Sequence, residues 1–201
     1  RDLTYMVLRT RRGIRSRFAS LFVLSVGVRL LYVASIAPQD PIASVDAWGY
    51  HRLALNLSQG HGFSLRREVP YIADSVRTPL YPAFLWLVRA TLGPAPRTAA
   101  AVQAFLDGAT TLLTWWLGTK LAGKRAGRTA ALLYALNPTV VRYVGDLLTE
   151  TLLSLLIALT LVALLQYLRS SRTDAPAAQG WLVALGLGSG LATLCKPNAQ
   201  Y

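Results

Sequence analysis

The sequence predicts an all-α, polytopic membrane protein. It has about five transmembrane helices and a large first external loop carrying juxtamembrane amphipathic helices, all within one transmembrane domain over residues 1–201. Three observations predict it. The chain is 53% hydrophobic, with a mean hydropathy of +0.39, more apolar surface than a soluble domain of this size hides. The apolar residues fall mostly in runs of about 20, the length that crosses a ~30 Å hydrocarbon core. The 21 Lys and Arg, against 9 Asp and Glu, cluster between those runs, as in cytoplasmic membrane loops. In a soluble chain the net charge of +12 would suggest nucleic acid. No groove-reading or stacking motif is present, so nucleic acid is set aside as a partner. Cys195 is the single cysteine, which excludes an intrachain disulfide and a CxxC metal site. The two histidines, His51 and His61, lie in a polar stretch and read as solvated.

Arg1, Arg9, Arg11, Arg12, Arg15 and Arg17 precede an apolar run over 18–38 that is interrupted by Arg29. Ala34-Ser35-Ile36-Ala37 resembles a signal cleavage site, but the run is too long for a signal peptide and more spans follow, so it reads as a retained first span. Residues 39–78 are polar. Within them 46–58 can form a short amphipathic helix with Tyr50, Leu53, Ala54 and Leu57 on one face. Trp48 and Tyr50 suit the membrane interface, and Asn56-Leu57-Ser58 matches a glycosylation sequon. Residues 79–92 are apolar but too short to cross, and read as an interfacial or re-entrant helix. Spans follow at 98–119, at 129–146 with a bend at Asn137-Pro138, at 149–168, and from 181 to 195 with a bend at Pro197.

Charge sets the topology. With residues 1–17 in the cytoplasm and 79–92 not crossing, the basic clusters Lys120–Arg128 and Arg169–Arg172 are also cytoplasmic. Residues 39–97 then form one external loop, and 147–149 and Lys196 share its side. No fixed-period repeat and no separate soluble domain is visible. The chain opens on Arg1, not Met, and stops at Tyr201 just after an apolar segment. It reads as the N-terminal part of a longer protein.

Several charges need a reason. Arg29 lies near mid-membrane, where an Arg costs roughly 2.5–3.5 kcal/mol. Asp107 sits at equal depth on the next span and is its expected partner. Arg142 and Asp146, four apart, are expected to pair along one helix face. Asp46 can cap the helix that follows it. It can also act as a surface carboxylate that takes a proton from a hydroxyl or holds a divalent metal. Glu150 opens a span, where the helix dipole favours an acid, and could be a second carboxylate facing Asp46. Arg77 and Lys196 are the external cations. They can snorkel to headgroups or bind a lipid phosphate.

Taken in order, these residues resemble the polyprenyl-phosphate-sugar-dependent membrane glycosyltransferases, the superfamily of protein O-mannosyltransferases and the lipid A aminoarabinose transferase. The resemblance rests on Arg29-Leu30-Leu31-Tyr32, Asp46 with Tyr50, Gly60-His61-Gly62-Phe63 and Arg77-Thr78-Pro79-Leu80-Tyr81-Pro82. Leu121-Ala122-Gly123, Asn137-Pro138, Thr149-Glu150 and Lys196-Pro197 complete it. It implies an inverting transfer from a polyprenyl-phosphate sugar to a hydroxyl of a lipid, glycan or protein at the non-cytoplasmic face of a cell membrane. It further implies Asp46 and Glu150 as catalytic acids, Asp46 as the metal ligand if a divalent ion serves, and Arg77 as the donor-phosphate contact. Tyr50, Tyr81 and Lys196 join Arg77 as substrate-binding residues. Several relatives carry two adjacent acids in this loop, whereas here Ala47 follows Asp46, a departure that weakens the likeness to the protein mannosyltransferases in particular. Two other classes compete on the residues alone. A transporter or flippase of lipid-linked sugars would show inverted repeats and midplane binding groups. A non-catalytic lipid-binding membrane subunit would use Asp46 for stability only.

Overall fold

The computed structural model describes residues 2–35, 44–172 and 175–196. These form seven helices: α1 (Asp2–Ser35), α2 (Val45–Ser58), α3 (Leu80–Leu92), α4 (Pro96–Leu136), α5 (Pro138–Gly145), α6 (Glu150–Ser170) and α7 (Ala175–Cys195). The all-α expectation holds among the described residues. The expected bend at Pro197 and the stretch 36–38 lie outside them.

Three helices are long and apolar enough to cross a membrane: Phe18–Ser35 within α1, Glu150–Ser170 and Pro176–Cys195. They present large apolar side chains outward, among them Leu31, Ile157, Leu161, Val183 and Leu187. Faces of this kind suit a lipid solvent better than water. The expected spans at 98–119 and 129–146 are helical but fall short of that apolarity or length. The first carries Gln103, Asp107, Thr110 and Thr111, all buried, so its polar groups face protein. The second is cut at Asn137, between α4 and α5.

α4 is a hairpin of two arms. Gly123 has φ +88°, a left-handed backbone that favours glycine, and it divides 96–122 from 124–136. The arms cross closely at small residues. A Cβ on Gly118 would lie 2.8 Å from the Gly127 Cα, and one on Gly127 would lie 2.6 Å from the Trp115 carbonyl oxygen.

α1 runs antiparallel to the first arm. Phe18 packs on Trp115 at a centroid distance of 3.6 Å, the Ser25 and Thr111 hydroxyls lie 2.8 Å apart, and Arg29 pairs with Asp107. The mid-membrane ion pair expected from the sequence is therefore present, with both side chains fully buried. Its second function was not legible. Pro138 has no N–H for the Tyr134 carbonyl, and the Thr139 N–H goes instead to Asn137 Oδ1 at 2.9 Å. The Ala135 carbonyl thereby loses its α-helical donor, and the Tyr134 carbonyl accepts instead from the Asn137 N–H at 3.3 Å. Arg29 donates to both, at 2.8 Å and 3.4 Å respectively, and Tyr134 donates its hydroxyl to Asp107 at 2.6 Å. The buried guanidinium closes the end of a broken helix where no water is at hand.

The largest buried apolar cluster lies at one end of the bundle. It joins Val33 of α1, Ala54 of α2, Tyr81, Leu85 and Val88 of α3 and Ala100 and Ala104 of α4 to residues of α5, α6 and α7. α2 and α3 cap this end. At the opposite end are the exposed residues Lys120, Lys124, Arg125 and Arg128 around the hairpin tip, with Arg169 in the last turn of α6 and Arg172 just after it.

Candidate active site

α2 begins one residue earlier than the sequence suggests, and Ser44, not Asp46, is its cap. The Ser44 hydroxyl accepts from the Ala47 N–H at 3.1 Å. A serine at this position satisfies an orphan amide as well as an Asp would, which leaves Asp46 in the first turn with its carboxylate 70% exposed. Ala47 is fully buried. An acid there would be desolvated, which gives a physical reason why no second acid follows Asp46.

The expected face of α2 is present, with Leu53 and Ala54 buried and Tyr50 half-buried. Asn56 is buried as well and donates its amide to the carbonyls of Ser64 and Arg66. It ties α2 to the loop that follows, so the sequon match describes a structural asparagine. His61 stacks on Tyr71 at 4.2 Å and is not solvated as expected.

That loop returns Arg77 to the first turn of α2. Arg77 Nη2 lies 3.5 Å from Asp46 Oδ1, and the guanidinium sits 5.8 Å from the centre of the Tyr50 ring. It rests against Gly49, where a Cβ would come within 2.5 Å of Arg77 Cζ. Arg77 Nε is buried and has no hydrogen-bond partner. Thr78 donates to the Cys195 carbonyl at 2.8 Å, which fixes the turn before α3 to the end of α7.

The same end of α7 presents Lys196 to Glu150 at the start of α6. Lys196 Nζ donates to Glu150 Oε1 at 2.8 Å, and the Thr149 hydroxyl donates to Oε2 at 3.4 Å. The Glu150 hydrogen bond holds the Lys196 ammonium above its ordinary range, against the opposing effect of burial. The Tyr50 hydroxyl is also raised, first by burial and then by Asp46 and Glu150, with Arg77 and Lys196 opposing. Arg77 lies at the Tyr50 ring, and the Thr78–Cys195 hydrogen bond brings the Glu150–Lys196 pair to the same end of the bundle.

Tyr81 lies beneath. It is fully buried, meets Tyr50 edge-on at 5.1 Å and donates to Gln103 Oε1 at 2.7 Å. Gln103 in turn donates to the Val144 carbonyl at 2.8 Å. Sequence reading expected Tyr81 to contact substrate, but its hydroxyl is committed to this buried chain. Gln103 and Gly49 were missed. A lone glutamine within an apolar run was the one available signal for Gln103, and Gly49 gave none.

Arg142 and Asp146 pair as expected, at 3.1 Å. A cleft of about 390 Å³, lined by Thr110, Thr114, Tyr134 and Ser154 among others, is lined by none of the site residues.

The model of the dolichyl-phosphate-mannose-protein mannosyltransferase family matches residues 76–201, more than half of the chain. The chain belongs to this family. The match includes Arg77, Tyr81, Glu150 and Lys196 and begins after Asp46 and Tyr50, whose place in the site rests on the geometry above. No curated protein and no solved structure matches the chain. Membership makes it a glycosyltransferase-family membrane protein of the mannosyltransferase kind, and its three apolar helices agree.

For a divalent ion the donor set is thin. Among the described residues no three His, Cys, Asp or Glu side chains converge. Asp46 faces Arg77, and Glu150 is drawn onto Lys196. Asp46 is the more open of the two carboxylates, and it would be the ligand for an ion such as Mg²⁺, which takes one or two carboxylates plus substrate phosphates.

Proposed function

We propose that the protein transfers a sugar from a polyprenyl-phosphate-linked donor to an acceptor hydroxyl, with inversion, at the non-cytoplasmic face of the membrane. One observation carries this reading. Two carboxylate–cation pairs, Asp46–Arg77 and Glu150–Lys196, are brought by the Thr78–Cys195 hydrogen bond to the end of the bundle opposite the α4 hairpin tip. The positive-inside rule assigns the basic end to the cytoplasm and the site to the other face. The two arms of α4, continued by α5, would then cross as well, giving five crossings.

The chemistry follows from charge. The acceptor oxygen forms a bond to the anomeric carbon while the bond from that carbon to the donor phosphate oxygen breaks. Asp46, exposed on the water side, orients the acceptor and takes its proton. The leaving polyprenyl phosphate gains negative charge, which Arg77 and Lys196 stabilise. Arg77 suits this role because its Nε has no other partner. Tyr50 supplies a face beside both cations. Tyr81 and Gln103 hold that face from below and do not themselves touch the substrate.

The test uses the protein in lipid vesicles with labelled polyprenyl-phosphate sugars and an acceptor extract. Transfer of label to the acceptor is expected. Movement of intact donor across the bilayer without transfer would favour a transporter. Neither movement nor transfer, across several donors, would favour a non-catalytic subunit.

A further inference from the structure

The two cations of the site are not equally available to a phosphate. Arg77 meets Asp46 only at 3.5 Å, and that carboxylate is mostly in water, so the pair is weak. Arg77 also keeps a buried N–H with no acceptor. Lys196 is different. Its ammonium lies 2.8 Å from Glu150 Oε1 in a pair that is about two-thirds buried on both sides. The second Glu150 oxygen accepts from Thr149, and the carboxylate opens α6, where the helix dipole favours it. Glu150 is thus held from three directions, and its nearest cation is one that a phosphate would also use.

We infer that Glu150 and the donor phosphate compete for Lys196, so that phosphate binding draws the ammonium away from Glu150. This rests on the proposed donor class and concerns the regulation of the same site. Glu150 then holds Lys196 back from the phosphate, and sets how tightly the phosphate is held. Tight holding is unwelcome after transfer, because the polyprenyl phosphate must leave. A return of Lys196 to Glu150 offers the ammonium a partner as the phosphate departs. In this role Glu150 is a positioning residue acting through Lys196, distinct from the proton-accepting role of Asp46.

The consequence is opposite to that of a purely structural or purely catalytic acid. Removing the Glu150 charge should tighten phosphate binding. Simple long-range repulsion between Glu150 and the phosphate would also do so, and it would persist without Lys196. Competition would not.

The experiment measures binding of a sugar-free polyprenyl phosphate to the protein in nanodiscs, with neutral polyprenol as control. Wild type, Glu150→Gln, Lys196→Met and the double variant are compared, with melting temperatures to verify folding. The expected result is about tenfold tighter binding in Glu150→Gln than in wild type, and less than a twofold difference between Lys196→Met and the double variant. Should Glu150→Gln fail to fold, Glu150→Asp, which draws the carboxylate back from the ammonium, should shift affinity in the same direction. Unchanged or weaker binding after loss of the Glu150 charge overturns the inference, as does equal tightening with and without Lys196. If wild type does not distinguish polyprenyl phosphate from polyprenol, the donor reading itself fails, and the inference with it.

Discussion

Asp46 and Glu150 show how far a single acid can be read. Each sits in the first turn of a helix, where the dipole alone explains it, and only the structure separates their surroundings. Asp46 is open to water beside a loosely held Arg77, while Glu150 is fastened to Lys196. Gly49 carries the sharpest test at this scale. The atoms nearest a Cβ there belong to the tip of the flexible Arg77 side chain. Gly49→Ala should therefore fold normally, its stability within about 1 kcal/mol of wild type because the helix gains propensity. Transfer should still fall at least tenfold as Arg77 is pushed aside. A melting curve and a transfer assay on one preparation check both halves. Arg29 gives the complementary case. Arg29→Ala strands a buried carboxylate and takes the guanidinium donor from the Ala135 carbonyl at the helix break, and should cost roughly 3–5 kcal/mol. A thermal or denaturant melt reads this directly. The pairing with Asp107 was legible because both charges lie in apolar runs at matched depth. The capping of α4 was not, since it depends on which carbonyls the Pro138 break sets free.

At the scale of elements, the sequence marks ends better than crossings. The short α3, the break at Asn137-Pro138 and the start of α6 at Glu150 fall where turn chemistry and length put them. The basic stretch after residue 119 read as a loop, whereas helix continues on both sides of the single left-handed residue Gly123. Charge density suggested a wider turn than the backbone needs. The site floor was illegible for a similar reason. The chain from Tyr81 through Gln103 to the Val144 carbonyl joins three helices far apart in sequence, and nothing local announces it. Gln103→Leu should leave the Tyr81 hydroxyl and the Val144 carbonyl without partners, at about 1–3 kcal/mol each. It should loosen α3 and α5 together, seen as faster amide exchange in both helices. Exchange altered in α4 alone would show that the chain does not couple them.

Across the whole molecule, charge is segregated. Among the described residues the α4 hairpin tip and the end of α6 carry basic side chains without an acid, whereas the other end mixes both signs. This arrangement predicts that a cysteine introduced at Lys124 is labelled only from the cytoplasmic side, and one at Gln59 only from the opposite side, by a reagent that does not cross membranes. The buried Cys195 should contribute little background. The central claim is that glycosyl transfer occurs at the Asp46 end of the bundle, with Asp46 as the proton acceptor. It is tested most directly by the rate of label transfer in Asp46→Asn beside Asp146→Asn, which neutralises a nearby carboxylate held in the Arg142 pair outside the site. The account predicts a loss of at least a hundredfold in the first and near wild-type transfer in the second. Equal rates in Asp46→Asn and wild type would contradict it.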